Sequence, residues 1–423
     1  MNAIPPIALT ATLPDRKPIS GWRVHQRKTI YLCALILGIC AFFMIIYARI
    51  TWDSYREQTP GHLPIYGDFF ALWSYAKIIT THPVAELYDF AILHARQVDL
   101  GMDTAHTYPF PYPPTFIFLV WPLALLQYEA DYLVFTLGTL ALLVWVVRKT
   151  CTRLPFCLLG LIVAPATTAT IFAGQSGFFA AALMTAGIRL ARPRPIVAGI
   201  LLGLLSYKPQ LGFLVPVALI AAGLWTTFWA ACVTVVVMAA AATFAFGWDI
   251  WSIWLSMLPA YADMFDNVTI PLASRPTVLA NLQLLGVPLP SARGIQALVA
   301  AAVAVIVWRS FRRDPGRLAA AALLTGTILA TPHAFYYDLP MVTVAMVLFI
   351  EDRMKTHATF TTAEIGILIM ATLFPIVMLL KDFLVPVSTV PLVLLLAAIV
   401  RRQGRSAGET GMSGLSAARS VFT

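Results

Sequence analysis

Charge is what this chain has least of. Asp, Glu, Lys and Arg make up 12% of its 423 residues, about half their share in an ordinary soluble domain. Hydrophobic residues reach 59%, and the combination excludes a soluble globular protein. The strict polar/apolar alternation of an outer-membrane barrel is also missing. Cysteine is scarce: Cys33, Cys40, Cys151, Cys157 and Cys232 lie inside or at the ends of apolar stretches, with no CxxC pair. They read as small core hydrophobes, which excludes a disulfide framework and a thiolate metal site. No Walker motif, no GxGxxG and no serine nucleophile elbow occurs, so chemistry on a cytoplasmic nucleotide has no support. His62, His82, His94 and His106 share one segment with several acids, but none has HxxxH or HExxH spacing. No metal site is assigned to them.

What the chain does have is a succession of apolar stretches from Ile30 to Val400. The fold class they predict is an all-α polytopic membrane protein. Residues 1–28 read as a basic cytoplasmic tail. The apolar run that follows is long enough to stay as a signal-anchor, and a first span covers roughly Ile30 to Arg49. Residues 51–113 form the longest polar segment, in which Ala71 to Ile79 is expected to lie as a short interfacial helix. The membrane domain covers 29–400, and 401–423, rich in Arg, Ser and Gly, is expected to be a disordered tail.

Basic clusters fix the sides. They occur at Arg148-Lys149 with Arg153, at Arg189-Arg192-Arg194, at Arg309-Arg312-Arg313-Arg317, at Arg353-Lys355 and at Arg401-Arg402-Arg405. Placing these and both termini inside gives a consistent alternation with about twelve transmembrane helices. Phe116 to Leu126 is then a re-entrant or surface-lying segment, and 51–113 is a large first extracytoplasmic loop. Several apolar segments fall short of the roughly 20 residues a span needs. Short segments are tolerated where the backbone faces protein or a water-filled cavity, and the pair flanking Lys208-Pro209-Gln210 is the clearest instance.

The alternation collects polar breaks on the outer side: Asp68, Gly174-Gln175-Ser176, Lys208, Arg275 in the connection 248–294, and Thr331-Pro332-His333 with Tyr337-Asp338. Asp68, set among Tyr66, Phe69, Phe70 and Trp73, is a carboxylate at the lip of a bilayer, costly unless used or paired. It suits a general base that takes a hydroxyl proton, with a helix N-cap as the plainer reading. Lys208 and Arg275 suit phosphate binding, and the plainer reading of Lys208 is a snorkelling lysine. His333 suits donation to a phosphate or sugar oxygen, or a structural role. Gln175 suits a sugar hydroxyl, or a plain turn.

These residues resemble a known family. Gly67-Asp68-Phe69 after span one, then Leu87-Tyr88-Asp89 and Tyr112-Pro113-Pro114, are similar to the glycosyltransferase 87 family. So are Gly174-Gln175, Gly203, Lys208-Pro209-Gln210, Thr331-Pro332-His333 and Tyr337-Asp338. The resemblance implies a GT-C-like membrane fold and a polyprenyl-phosphate-sugar donor, mannose above all. The acceptor would be a lipid or glycan, and nucleic acid has no part. It implies a multi-pass protein of a bacterial inner membrane working on the extracytoplasmic face, with Asp68 as the base of an inverting displacement. Lys208, His333, Arg275 and Gln175 would bind donor phosphate or acceptor. No cofactor is called for, and a need for a divalent metal is left open. The competing readings are a transporter or flippase of lipid-linked sugars, which also has broken spans, and a non-catalytic scaffold.

Overall fold

The computed structural model describes residues 38–46, 49, 68–102, 104, 107–151, 155–266, 272–356, 359–379 and 386–419. The expected tail 1–28, the start of the first span and residues 50–67 lie outside the described residues, as do His62 and His106. Among the described residues there are helices and no strand, and three helices are long and apolar enough to cross a membrane: Tyr128–Thr150, Trp225–Phe246 and Leu289–Arg313. Shorter apolar helices, Gly177–Leu190, Pro195–Leu204, Val215–Ala221 and Arg317–Ala330 among them, pack between these.

Proline and glycine set many of the boundaries. Pro165, Pro195, Pro209 and Pro340 each open a helix, where the missing N–H is not needed. Gly174, at φ +65°, closes the helix Pro165–Ala173 in the left-handed conformation. Gly199 and Gly203, one turn apart, let Pro195–Leu204 lie against Trp225–Phe246 with almost no gap. A Cβ at Gly199 would stand 2.7 Å from the Thr227 carbonyl oxygen, and one at Gly203 would stand 2.8 Å from that of Ala231. Close backbone approach through small residues is how helices associate where lipid supplies no hydrophobic drive. The opposite side of Trp225–Phe246 is open, with Trp229, Val233, Val236 and Phe244 exposed, as a lipid-facing helix requires. Gly177–Leu190, Arg317–Ala330 and Pro340–Lys355 are buried nearly all round and form the centre.

The helices run to and fro between two chemically different ends. At one end the basic clusters meet. Lys149, Arg189, Arg192 and Arg317 surround one cavity. Arg313 donates to the Gly404 carbonyl, Arg402 pairs with Asp352, and Arg353 pairs with Glu364. At the other end lie Asp68, Gln175, Lys208 and Asp338. This segregation is what the positive-inside alternation demands of the chain.

Three segments refine the sequence expectations. Residues 114–124 form a broken run, 3-10 at Pro114–Phe116, α at Ile117–Val120 and 3-10 again at Trp121–Ala124, far too short to span. Lys77, on the helix Phe69–Thr81, holds this run in place by donating to the carbonyls of Ala124 (2.7 Å) and Leu126 (3.3 Å). The connection 248–294, expected to be loop, contains the helices Asp249–Asp266 and Val278–Leu284. The first of these packs on the first loop: Tyr261 donates to the Phe110 carbonyl and Trp254 to that of Pro111. Lastly, Thr389–Arg419 is one helix, running through the expected disordered tail, with Gln403 bonded to the Ser310 and Asp314 carbonyls near its middle.

The Gly199 contact yields a direct prediction. Gly199→Val should destabilise the protein by about 1–3 kcal/mol, the usual range for overpacking, measured by thermal unfolding in detergent. Gly366→Ala is the control: a Cβ there meets nothing within 4 Å, and the variant should melt at or above the wild-type midpoint.

Candidate active site

The turn Gly174-Gln175-Ser176-Gly177 is the hub of the acidic end, and its two glycines hold two different loops. A Cβ at Gly174 would fall 2.4 Å from the Cβ of Phe69, the neighbour of Asp68. A Cβ at Gly177 would fall 1.7 Å from the carbonyl oxygen of Tyr337, the neighbour of Asp338. Thr170 adds a hydrogen bond to that same carbonyl at 3.1 Å. Two carboxylates that are 270 residues apart in sequence are thus fixed against one short turn.

Between them stands Lys208. It is buried, and its Nζ lies 3.1 Å from Asp338 Oδ1 and 5.0 Å from the centre of the Tyr337 ring. The kink that places it is local: Leu205–Tyr207 tightens to a 3-10 turn and Pro209 starts a new helix. The other oxygen of Asp338 accepts the Phe335 N–H at 3.1 Å, so both of its oxygens are engaged.

Asp68 is different. It stands at the N-cap position of Phe69–Thr81 but makes no side-chain cap hydrogen bond. Asp89 does cap its helix, accepting from the N–H groups of Ala91 and Ile92. The N-cap reading of Asp68 therefore fails on geometry. Burial pushes its carboxyl up to about 6, with the nearby Lys208 ammonium acting in the opposite direction. A carboxylate near that value can both lose and accept a proton close to neutral pH.

Aromatic side chains wall this group. Tyr112 stacks on Phe116, centres 3.8 Å apart, and Phe116 stacks on Tyr207 at 5.6 Å. The Tyr207 hydroxyl donates to the Ser176 carbonyl, and the Gln175 side chain lies close to the Tyr112 hydroxyl. Asp68, Gln175 and Lys208 therefore lie around this one aromatic-walled group. Arg275 and His333 meet at a second point, over Phe265. Arg275 is fully buried, donates to the Phe265 carbonyl at 2.7 Å and sits 5.6 Å from the ring centre. The His333 ring lies 5.1 Å from the same ring. Phe335 links the two groups, 6.1 Å from Phe265 and 5.2 Å from Tyr337.

The partners that sequence reasoning did not assign are Asp338, which pairs Lys208, and Tyr112, Tyr207 and Tyr337, which enclose it. Tyr337-Asp338 was visible as a polar break, but nothing local joins it to a lysine 130 residues away. Among the described residues no group of three or more His, Cys, Asp or Glu is placed to hold a metal ion. His82 and His94 instead bond the hydroxyls of Thr81 and Thr107.

Comparison with known proteins gives one match. A family model described as glycosyltransferase family 87 covers residues 110–332, more than half of the chain. No curated protein and no solved structure matches. The matched region contains Gln175, Lys208 and Arg275; Asp68, His333 and Asp338 lie outside it.

The buried ion pair is open to test. Lys208→Met strands the Asp338 carboxylate and should cost about 3–5 kcal/mol, as breaking one side of a buried pair does. Lys208→Met combined with Asp338→Leu should recover most of that loss. Additive losses in a thermal-denaturation cycle would contradict a direct pairing.

Proposed function

The chain belongs to glycosyltransferase family 87, a membrane glycosyltransferase, and from that premise we propose the reaction its acidic end performs. It transfers a hexose, mannose by preference, from a polyprenyl-phosphate-sugar to a lipid or glycan acceptor. The active site faces the extracytoplasmic side of a bacterial inner membrane, and the spans number about twelve by charge alternation.

Asp68 is the general base. An acceptor hydroxyl attacks the anomeric carbon from the face opposite the phosphate. The new C–O bond forms as the bond from the anomeric carbon to the phosphate oxygen breaks, and the leaving group departs with that electron pair as polyprenyl phosphate. The hydroxyl proton passes to Asp68. Negative charge grows on the departing phosphate, and cations fixed in a dry site stabilise it more than water would. Lys208 is the nearest of these to Asp68. Arg275 and His333, grouped over Phe265, bind the donor phosphate or the acceptor. Gln175, buried in the hub turn, presents its amide to sugar hydroxyls.

The observation that carries this reading is the state of Asp68: partly buried, uncapped, and beside a lysine whose ion-pair partner is a different carboxylate. A scaffold gives no reason to keep such a group. A flippase has no use for a base positioned at one end of the molecule.

The test is transfer of labelled mannose from polyprenyl-phosphate-mannose by the purified protein. Asp68→Asn keeps size and polarity but cannot take a proton, and should lower kcat by about 10²–10⁴-fold, the usual worth of general base catalysis, with donor binding retained. Equal transfer by wild type and Asp68→Asn would remove Asp68 from the mechanism.

A further inference from the structure

A second site lies at the other end of the molecule. A cavity of about 430 Å³ opens there among helix ends. Lys149 enters it from the end of Tyr128–Thr150, Arg189 and Arg192 from the end and exit turn of Gly177–Leu190, and Arg317 from the start of Arg317–Ala330. No carboxylate lines it. Asp314, three residues before Arg317, is exposed and lies against Gly316, outside the lining.

Three other cations at this end are paired with acids. Arg353 pairs with Glu364, Arg402 with Asp352 and Lys355 with Glu351. The four cations of the cavity make no ion pair among the described residues, and Arg317 Nε is buried without a hydrogen-bond partner. The helix Arg317–Ala330 also begins here, with no side-chain cap and no acid in its first turn. Its terminal N–H groups and dipole add positive potential where anions bind. Below the rim the walls turn apolar, with Met184, Ile188 and Leu324.

We propose that this cavity binds a phosphate group, and that its apolar floor fits it to the headgroup and upper chain of an anionic lipid in the cytoplasmic leaflet. Arg side chains grip phosphate oxygens through paired hydrogen bonds. Basic pockets between helices on the cytoplasmic side suit such headgroups. The site stands apart from Asp68, and its occupancy does not depend on the transfer reaction.

The experiment is a titration of the purified full-length chain with phosphatidylglycerol, with phosphatidylcholine, and with inorganic phosphate, reading the melting midpoint. A ligand that binds only the folded state raises that midpoint saturably. Phosphatidylglycerol should raise it and phosphatidylcholine should not. Arg189→Gln with Arg192→Gln, both exposed and so tolerated by the fold, should raise the half-saturating lipid concentration about tenfold or more. Arg317→Gln added to these should abolish the shift. Arg148→Gln with Arg312→Gln, equally exposed but outside the cavity, should leave it intact. If inorganic phosphate gives the same shift and the Arg189/Arg192 variant loses it, the phosphate site stands and the lipid source falls. No shift with either ligand, or equal losses in both sets of variants, overturns the site.

Discussion

The acidic end is organised by one buried ion pair. Lys208 and Asp338 come from helices distant in sequence, and their contact at 3.1 Å closes the bundle around the Gly174–Gly177 turn. Two charges removed from water are costly apart and tolerable together. The pairing therefore ties the Pro195–Leu204 and Pro209 region to the Tyr336–Asp338 loop. That same pairing leaves Asp68 as the carboxylate without a structural task. It sits near enough to Lys208 to feel its charge and is held by Phe69 against Gly174.

Much of this was legible in the sequence, and the reasons are physical. A charged residue in an apolar chain is expensive, so Asp68 and Lys208 stood out without any structural knowledge. Basic clusters recur at span ends, and the structure brings them to one end of the molecule. Lys208-Pro209-Gln210 between two short apolar runs predicts a break in helical structure, and a 3-10 turn and a new helix lie there. Partners were harder to read. The attraction between Lys208 and Asp338 depends on tertiary packing, which leaves no periodic trace. Gly177 looks like an ordinary turn residue until its missing Cβ is seen to make room for the Tyr337 carbonyl. The helix Asp249–Asp266 escaped because its apolar residues are interrupted by Ser252, Ser256 and Asp263 and by Pro259, and its contacts through Trp254 and Tyr261 to Pro111 and Phe110 are tertiary.

The two ends divide the labour by charge. At the acidic end cations are few, buried and matched to acids or aromatic rings. At the basic end Arg and Lys are many, and those around the cavity have no acid to neutralise them. The same helices connect the ends: Gly177–Leu190 begins at the hub turn and finishes at Arg189, and Arg317–Ala330 begins at the cavity and finishes at Thr331, beside His333. The proposed lipid-linked donor would need a site near the bilayer surface with its tail left in lipid, and short helices meeting an aromatic-walled group would suit it.

Asp68 is proposed to work as a base because burial raises its carboxyl while the nearby Lys208 ammonium, paired with Asp338, limits that rise. The dependence of kcat/KM on pH tests this most directly. The account predicts an acid limb centred near pH 6, where burial sets the Asp68 carboxyl, with transfer rising as that group loses its proton. Asp68→Asn should remove the limb along with most of the rate. A limb at the ordinary carboxylate position, or the same limb persisting in Asp68→Asn, would contradict it.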